Sequence, residues 1–143
     1  CQESSKKSVK GIFWRFVLRH HQIKYGFQIY PETKIGAGFY LGHWGTLVIN
    51  PKTKIGKNCN ISQGVTIAQA NRGRNEGVPE IGDEVWIGPN AVIVGKIKIG
   101  NNVLIAPNAY VSFDVPSNSV VIGNPGQITP KENATEGYIN NKI

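Results

Sequence analysis

Long apolar runs are missing from this 143-residue chain. No stretch approaches the roughly 18 apolar residues that a membrane-spanning helix requires. Cysteine is scarce: Cys1 and Cys59 are the only two. Two cannot build a disulfide framework, and a reduced, cytoplasmic setting is expected. The chain does not open on a basic segment, an apolar core and a small-residue cleavage site, so no secretory leader is expected. Methionine is absent, and acidic residues are few, 9 Asp and Glu against 16 Lys and Arg. The formal charge of +7 is spread along the chain. Such a surface suits a polyanion: a cofactor phosphate, a nucleotide sugar, a membrane surface or nucleic acid. Several motifs are also missing. There is no Cys-x-x-Cys, no His-Glu-x-x-His, no Gly-x-Ser-x-Gly elbow and no P-loop, which argues against a covalent serine enzyme or an NTPase. Only one histidine of three, His43, lies outside the N-terminal segment, so a three-histidine zinc site is not expected. No aromatic RNA-binding motif, helix-turn-helix pattern or finger spacing supports nucleic-acid binding.

What the chain does have is a repeat. An aliphatic residue recurs every six positions at Ile29, Ile35 and Leu41, then at Ile49, Ile55, Ile61 and Ile67. The series resumes at Ile81, Ile87, Ile93, Ile99, Ile105 and Val111. Four residues after most of these stands a small or β-branched residue, as at Thr33, Thr53, Cys59, Val65, Val85, Ala91, Val103 and Ala109. A period of six is not a multiple of the helical 3.6, and the glycine and proline content would break helices. Instead, each hexad supplies a short strand with an inward aliphatic residue, then a tight turn. Asn58, Asn90, Asn101, Asn102 and Asn108 fall in those turns, where Asn tolerates unusual backbone angles. Three hexads close one triangular coil of about 18 residues, and stacked coils bury a common aliphatic column. The fold expected is an all-β, left-handed parallel β-helix over residues 29–128, with a short N-terminal α-helix.

The phase slips twice. Two residues are inserted between Leu41 and Ile49, beside His43 and Trp44, and eight within 68–80. That second insertion is polar, carries Arg72 and Arg74, and is expected to be extruded as a loop that shapes a binding face. Residues 1–28 form a lead-in in which Val9, Ile12, Phe13, Phe16, Val17, His20 and Ile23 keep helical spacing. Lys6, Lys7, Lys10, Arg15 and Arg19 lie mostly elsewhere on that helix. The apolar side is expected to pack on the coils or on a neighbouring copy; the alternative is contact with an anionic membrane surface. Residues 129–143 read as a polar tail, irregular or mobile.

His43 is the residue most able to do chemistry. It follows the inward Leu41 by two positions, in a turn that points outward. On the same corner of successive coils stand Gln63, Pro89 and Pro107. Rungs about 4.8 Å apart make that corner an edge about 14 Å long over three rungs. An extended ligand arm fits beside the small or cyclic residues Pro89, Asn90, Ala91, Ala106, Pro107 and Asn108. Ordinary turn chemistry accounts for those residues equally well.

The strings LGHWGTLVIN, IGKNCNISQGVTI, PEIGDEVWIGPNAVIVG, IKIGNNVLIAPNAYV and VPSNSVVIGNP resemble the hexapeptide-repeat O-acetyltransferases of the serine acetyltransferase type, including relatives in capsule and exopolysaccharide pathways. The resemblance spans roughly residues 29–128. It implies a homotrimer with active sites between subunits, acetyl-CoA as donor, no metal, and direct transfer with His43 as general base. It implies Ala68, Gln69, Pro89, Asn90, Ala91, Pro107, Asn108, Ser112 and Phe113 as cofactor-lining positions. Lys131 would be the nearest cation for the CoA phosphate, and Trp44, Arg72 and Arg74 would stand towards the acceptor. The pattern departs from serine acetyltransferases at the stretch that orients their histidine, which here reads QIYP with Gln28 and Tyr30. Gly42 stands before the histidine, and Val78 replaces a second histidine. Glu32, Asn50 or Gln63 would then orient His43. These departures favour a sugar or polysaccharide-precursor hydroxyl as acceptor, with serine as the alternative. A non-catalytic β-helix for assembly or binding is the reading from another class.

Overall fold

The computed structural model describes residues 8–143; Cys1, Lys6 and Lys7 lie outside them. The first element is the helix α1 (Val9–Tyr25). Ser8 caps its start, accepting from the Gly11 N–H at 3.0 Å. Gly26 ends it in the left-handed region (φ 73°), donating its N–H to the Gln22 carbonyl, the usual αL stop.

Five coils follow. The first is β1 (Phe27–Ile29), β2 (Lys34–Ile35) and β3 (Tyr40–Leu41). The second is β4 (Leu47–Ile49), β5 (Lys54–Ile55) and β6 (Asn60–Ile61). The third is β7 (Thr66–Ala68), β8 (Glu80–Ile81) and β9 (Trp86–Ile87). The fourth is β10 (Val92–Val94), β11 (Lys98–Ile99) and β12 (Val103–Ile105). The fifth holds β13 (Tyr110–Val111) and β14 (Ser119–Ile122), after which β15 (Gln127–Pro130) turns back antiparallel to β14. Every third strand stacks in parallel, giving three faces: β1-β4-β7-β10-β13, then β2-β5-β8-β11, then β3-β6-β9-β12-β14-β15. This is the left-handed β-helix that the period of six predicts.

Register explains the stability of the stack. On the first face Ile49 sits over Ile67, Ile67 over Ile93 and Ile93 over Val111. On the third, Ile61, Ile87, Ile105 and Val121 align in the same way. All eight side chains are buried, each worth roughly 1.5–3 kcal/mol in transfer from water. The small residues four positions on form the column between them: Cys59, Val65, Val85, Ala91, Val103 and Ala109 are fully buried. Corners close through left-handed Asn58, Asn90, Asn102 and Asn108, joined by Glu84 and Asn118; Asn101 is not among them. Stacking is tight enough that a Cβ at Gly56 would stand 2.4 Å from the Gly82 carbonyl oxygen. The outward column of the second face is solvated, with Lys54 bridging Glu80 at 2.6 Å.

Three features differ from the sequence expectations. The inward series continues past Val111 within the same coil: Val115 bridges to Ile99 after a shortened turn, and Val121 completes the third-face column. The segment 131–143 forms no helix or strand, as expected of an irregular tail, but it is tied to the coils. It returns along the edge between the second and third faces, where Thr135 Oγ1 donates to Asn102 Oδ1 at 2.9 Å and Ile143 N to Asn58 Oδ1 at 3.1 Å. Lys142 pairs with Glu84 at 2.9 Å, and the Tyr138 ring lies 4.8 Å from that of Trp86. Finally, the apolar stripe of α1 does not pack on the coils. Val9, Ile12, Phe13, Phe16 and Ile23 are exposed, and only Gly11 of the helix is buried.

The register argument sets a test. Ile87→Ala should lower unfolding free energy by about 2–5 kcal/mol, whereas Ile23→Ala on the exposed helix face should stay within about 0.5 kcal/mol. Denaturant titration of both variants measures the contrast, and equal effects would refute the assignment of the core.

Candidate active site

The triangular section gives three edges. The His43 edge joins the third face to the first and carries His43, Gln63, Pro89 and Pro107. The loop edge joins the first face to the second, and the asparagine edge joins the second to the third.

The two residues inserted after Leu41 push the His43 turn off the stack. Gly45 takes the place above Gln63, 3.3 Å from its Cβ to a Cβ built on the glycine. The insertion is anchored to α1: Gly45 N donates to the Tyr25 carbonyl at 3.0 Å, and Trp44 stacks on Tyr25 at 5.9 Å with 20° between the rings. His43 is thereby exposed between two depressions. One, of about 490 Å³, is lined by Tyr25, Phe27, Leu41, Gly42 and Trp44. The other, of about 200 Å³, is lined by Tyr40, Gly42, Asn60, Ile61, Ser62, Trp86 and Asn140. Among the described residues no group hydrogen-bonds the His43 ring.

The three candidates for orienting His43 are therefore not its partners within one chain. Glu32 and Asn50 follow β1 and β4, so the hexad geometry places them on the loop edge, across the first face from His43. Glu32 pairs there with Arg15 at 3.2 Å, and Asn50 Nδ2 donates to Gln69 Oε1 at 3.2 Å. Gln63 shares the His43 edge, but its side-chain oxygen is buried and unpartnered.

The proposed cofactor-lining residues divide between two edges. Pro89, Asn90, Ala91, Pro107 and Asn108 line the His43 edge. Their backbone donors are engaged: Asn90 N donates to the Gln63 carbonyl at 3.1 Å and Asn108 N to that of Pro89 at 2.9 Å. Ala91 N donates to Gly88 at 3.3 Å. These corner amides are spent on stacking, so a ligand arm must use carbonyls or apolar contact there. Ala68, Gln69, Ser112 and Phe113 stand on the loop edge instead. Phe113 is half-buried against the core and faces Gly126. Lys131 is exposed, but its N–H donates to the Asn118 carbonyl at 2.8 Å on the asparagine edge, away from His43.

The extruded loop leaves from the loop edge as well. Ala70 and Gly77 pinch it shut with two backbone bonds of 3.0 Å, and Asn75 Nδ2 donates to the Ser112 carbonyl at 2.7 Å. Arg72 and Arg74 project exposed from its tip. In one chain, then, the loop and His43 stand on different edges and do not meet.

Five residues of the smaller depression were missed in the sequence: Tyr40, Asn60, Ser62, Trp86 and Asn140. The signal was present in the outward column of the third face, where Tyr40, Asn60 and Trp86 are in register. The matching column of the second face reads Lys34, Lys54, Glu80 and Lys98. Amide and aromatic groups in place of charges mark a covered face. The cover is the returning chain: Asn60 Nδ2 donates to the Tyr138 carbonyl at 2.8 Å, which leaves Asn60 Oδ1 buried without a partner.

Residues 79–112 match the family model described as bacterial transferase hexapeptide (six repeats). These residues are hexapeptide repeats of the kind that model describes. Over its repeats the chain is similar to serine acetyltransferases. One from Staphylococcus aureus (strain Mu50 / ATCC 700699) is 39% identical over 112 residues, covering 78% of this chain and 53% of the relative. The solved serine acetyltransferase of Neisseria gonorrhoeae in complex with serine superposes with a TM-score of 0.71 at 33% identity, covering 85% of this chain and 49% of that one. The enzyme from Brucella abortus strain S19 in complex with coenzyme A gives 0.74 at 28% identity, with 86% and 49% covered. The chain spans about half the length of the curated Staphylococcus aureus relatives it matches.

The thiol of Cys59 does not compete with His43 as a reactive group. Burial pushes its pKa up to about 11, with the Asp83 charge adding to the rise against a bond from the Val85 backbone. Reaction needs the thiolate. Alkylation at pH 8 followed by mass mapping should leave the Cys59 peptide unmodified in the folded protein and modify it fully after unfolding. Rapid labelling of the folded protein would contradict this placement.

Proposed function

We propose that this chain carries an acetyl-CoA-dependent O-acetyltransferase activity with His43 as general base. The observation that carries the reading is the placement of His43: exposed, free of any hydrogen bond from the described chain, and set between two depressions on the edge where the repeat slips. The acceptor hydroxyl gives its proton to an imidazole nitrogen as its oxygen attacks the thioester carbonyl. The C–S bond then breaks, and the departing CoA thiolate takes the proton from the imidazolium. Positioned proton transfer of this kind contributes about 10²- to 10⁴-fold, and orientation of the reactants supplies more. The coenzyme A complex of the Brucella abortus relative supports the donor.

The active form is a homotrimer. Half of the candidate site stands on the His43 edge and the other half, including Arg72, Arg74, Gln69 and Ser112, on the loop edge. A neighbouring copy that sets its loop edge against the His43 edge joins the halves, and a cyclic trimer pairs every His43 edge with a loop edge. A partner subunit is also the available source of a group to orient His43.

Serine is the acceptor that the relatives support. A second reading, a neutral sugar hydroxyl, rests on the depressions themselves. Apart from His43, neither is lined by a titratable charge. Zwitterionic serine requires partners for both an ammonium and a carboxylate once desolvated. Trp86 and Tyr40 with Asn60 and Ser62 offer instead an aromatic wall and neutral hydrogen-bonding groups.

Thiol release from acetyl-CoA should fall about 10²- to 10⁴-fold in His43→Ala, with a circular dichroism spectrum unchanged. Undiminished release with every acceptor would overturn the catalytic role and leave a binding or assembly module. Offering free serine and free hexoses side by side separates the two acceptors, since only the true one should accelerate release.

A further inference from the structure

The helix α1 presents its apolar side to solvent. On a wheel of about 100° per residue, Val9, Ile12, Phe13, Phe16 and Ile23 fall within an arc of about 100°, with His20 near its middle. Phe16 is 74% and Ile23 73% exposed. The side that meets the coils is roughly opposite, carrying buried Gly11 and half-buried Leu18, Gln22 and Tyr25. Cations flank the apolar arc on both sides: Arg19 and Arg15 on one, Lys24 and Lys10 on the other. No Asp or Glu occurs in Val9–Tyr25.

We propose that this outward face of α1 docks on an anionic lipid bilayer surface. An apolar strip with cations along both flanks and no acidic residue is what an interfacial helix needs. The strip enters the acyl boundary and the cations reach the anionic headgroups. A second copy of the chain is the poorer occupant on two counts. Arg15 is paired with Glu32, so pairing this face with itself would set the remaining three cations, Lys10, Arg19 and Lys24, against three, and like-charge juxtaposition opposes association. The strip is also small. A 17-residue helix is about 25 Å long and about 10 Å wide, so the face offers roughly 250 Å², against the roughly 800 Å² per partner of a stable protein interface.

The attachment of α1 fixes the orientation that docking would impose. Arg15 pairs with Glu32, the Gln22 side chain donates to the Ile29 carbonyl, and Tyr25 stacks on Trp44. All three ties run to the first coil and the His43 turn that follows it. A bilayer on the outward face therefore lies beside that end of the stack, with the His43 turn nearer to it than the last coil.

Co-sedimentation of the full chain with vesicles tests this independently of any transferase activity. Vesicles of phosphatidylcholine mixed with phosphatidylglycerol should carry the protein down, and vesicles of phosphatidylcholine alone should not. Arg19→Gln and Lys24→Gln should each weaken the partition roughly fivefold. The double variant Phe13→Ser, Phe16→Ser should abolish it, while particle mass and melting temperature in lipid-free solution stay unchanged. Failure to bind the mixed vesicles overturns the proposal. A lower particle mass for the double variant also overturns it, because that result assigns the face to another protein copy.

Discussion

The structure depends on vertical register. Each inward aliphatic residue must stand over its counterpart one coil below, because the core is a column only one coil wide. A shift of one residue would turn every inward side chain outward. The corners enforce that register. Their left-handed asparagines turn the chain sharply, and their amide protons are donated to the coil beneath, as at Asn90 and Asn108. Such corners cannot absorb extra residues. An insertion has to leave the stack, and this constraint makes the two phase slips informative about function.

Both insertions become projections, on different edges. The shorter lifts His43 and Trp44 away from Gln63 and leans them on α1. The longer closes on itself at Ala70 and Gly77 and carries Arg72 and Arg74 outward. Since a rigid triangular prism keeps its edges apart, no motion within one chain brings the projections together. The separation of the two projections in a single chain follows from the hexad geometry rather than from the choice of side chains. The same geometry separates His43 from Glu32 and Asn50, which are close to it in sequence.

The strands were legible because period six leaves few alternatives, and all thirteen in-phase residues found in the sequence occupy the inward columns. Val115 and Val121 of the fifth coil were missed as inward residues because the turn loses two residues between Val111 and Val115, which breaks the phase. The returning segment 131–143 was illegible for a different reason. Its contacts are made by polar groups, such as Thr135 to Asn102 and Ile143 to Asn58, and hydrophobic patterning does not register them. For α1 the period was read correctly and the side that packs was not. Amphipathicity shows that two sides differ, but only the attachment at Gly11, Gln22 and Tyr25 decides which one faces the coils.

The acceptor is where similarity and site chemistry pull in different directions. Similarity to serine acetyltransferases extends through the coils, where the inward isoleucines, corner asparagines and close-packed glycines of this chain serve the stack. These positions are constrained whatever the acceptor is. Specificity belongs to the few groups beside His43 that the stack does not need. There this chain has Gly42, Trp44, Asn60, Ser62 and Trp86. None of the five carries a charge, and Asn60 keeps a buried oxygen without a partner. An unmet acceptor in a buried wall is costly unless a ligand donates to it, and both a hydroxyl and an ammonium can do so. A neutral ligand asks nothing more of this chain. A zwitterion also needs a cation for its carboxylate, and Arg72 and Arg74 of an adjoining copy are the cations placed on an edge that could meet it. In the proposed trimer, serine as acceptor requires those arginines to reach the His43 edge, so assembly geometry rather than residue type sets the acceptor.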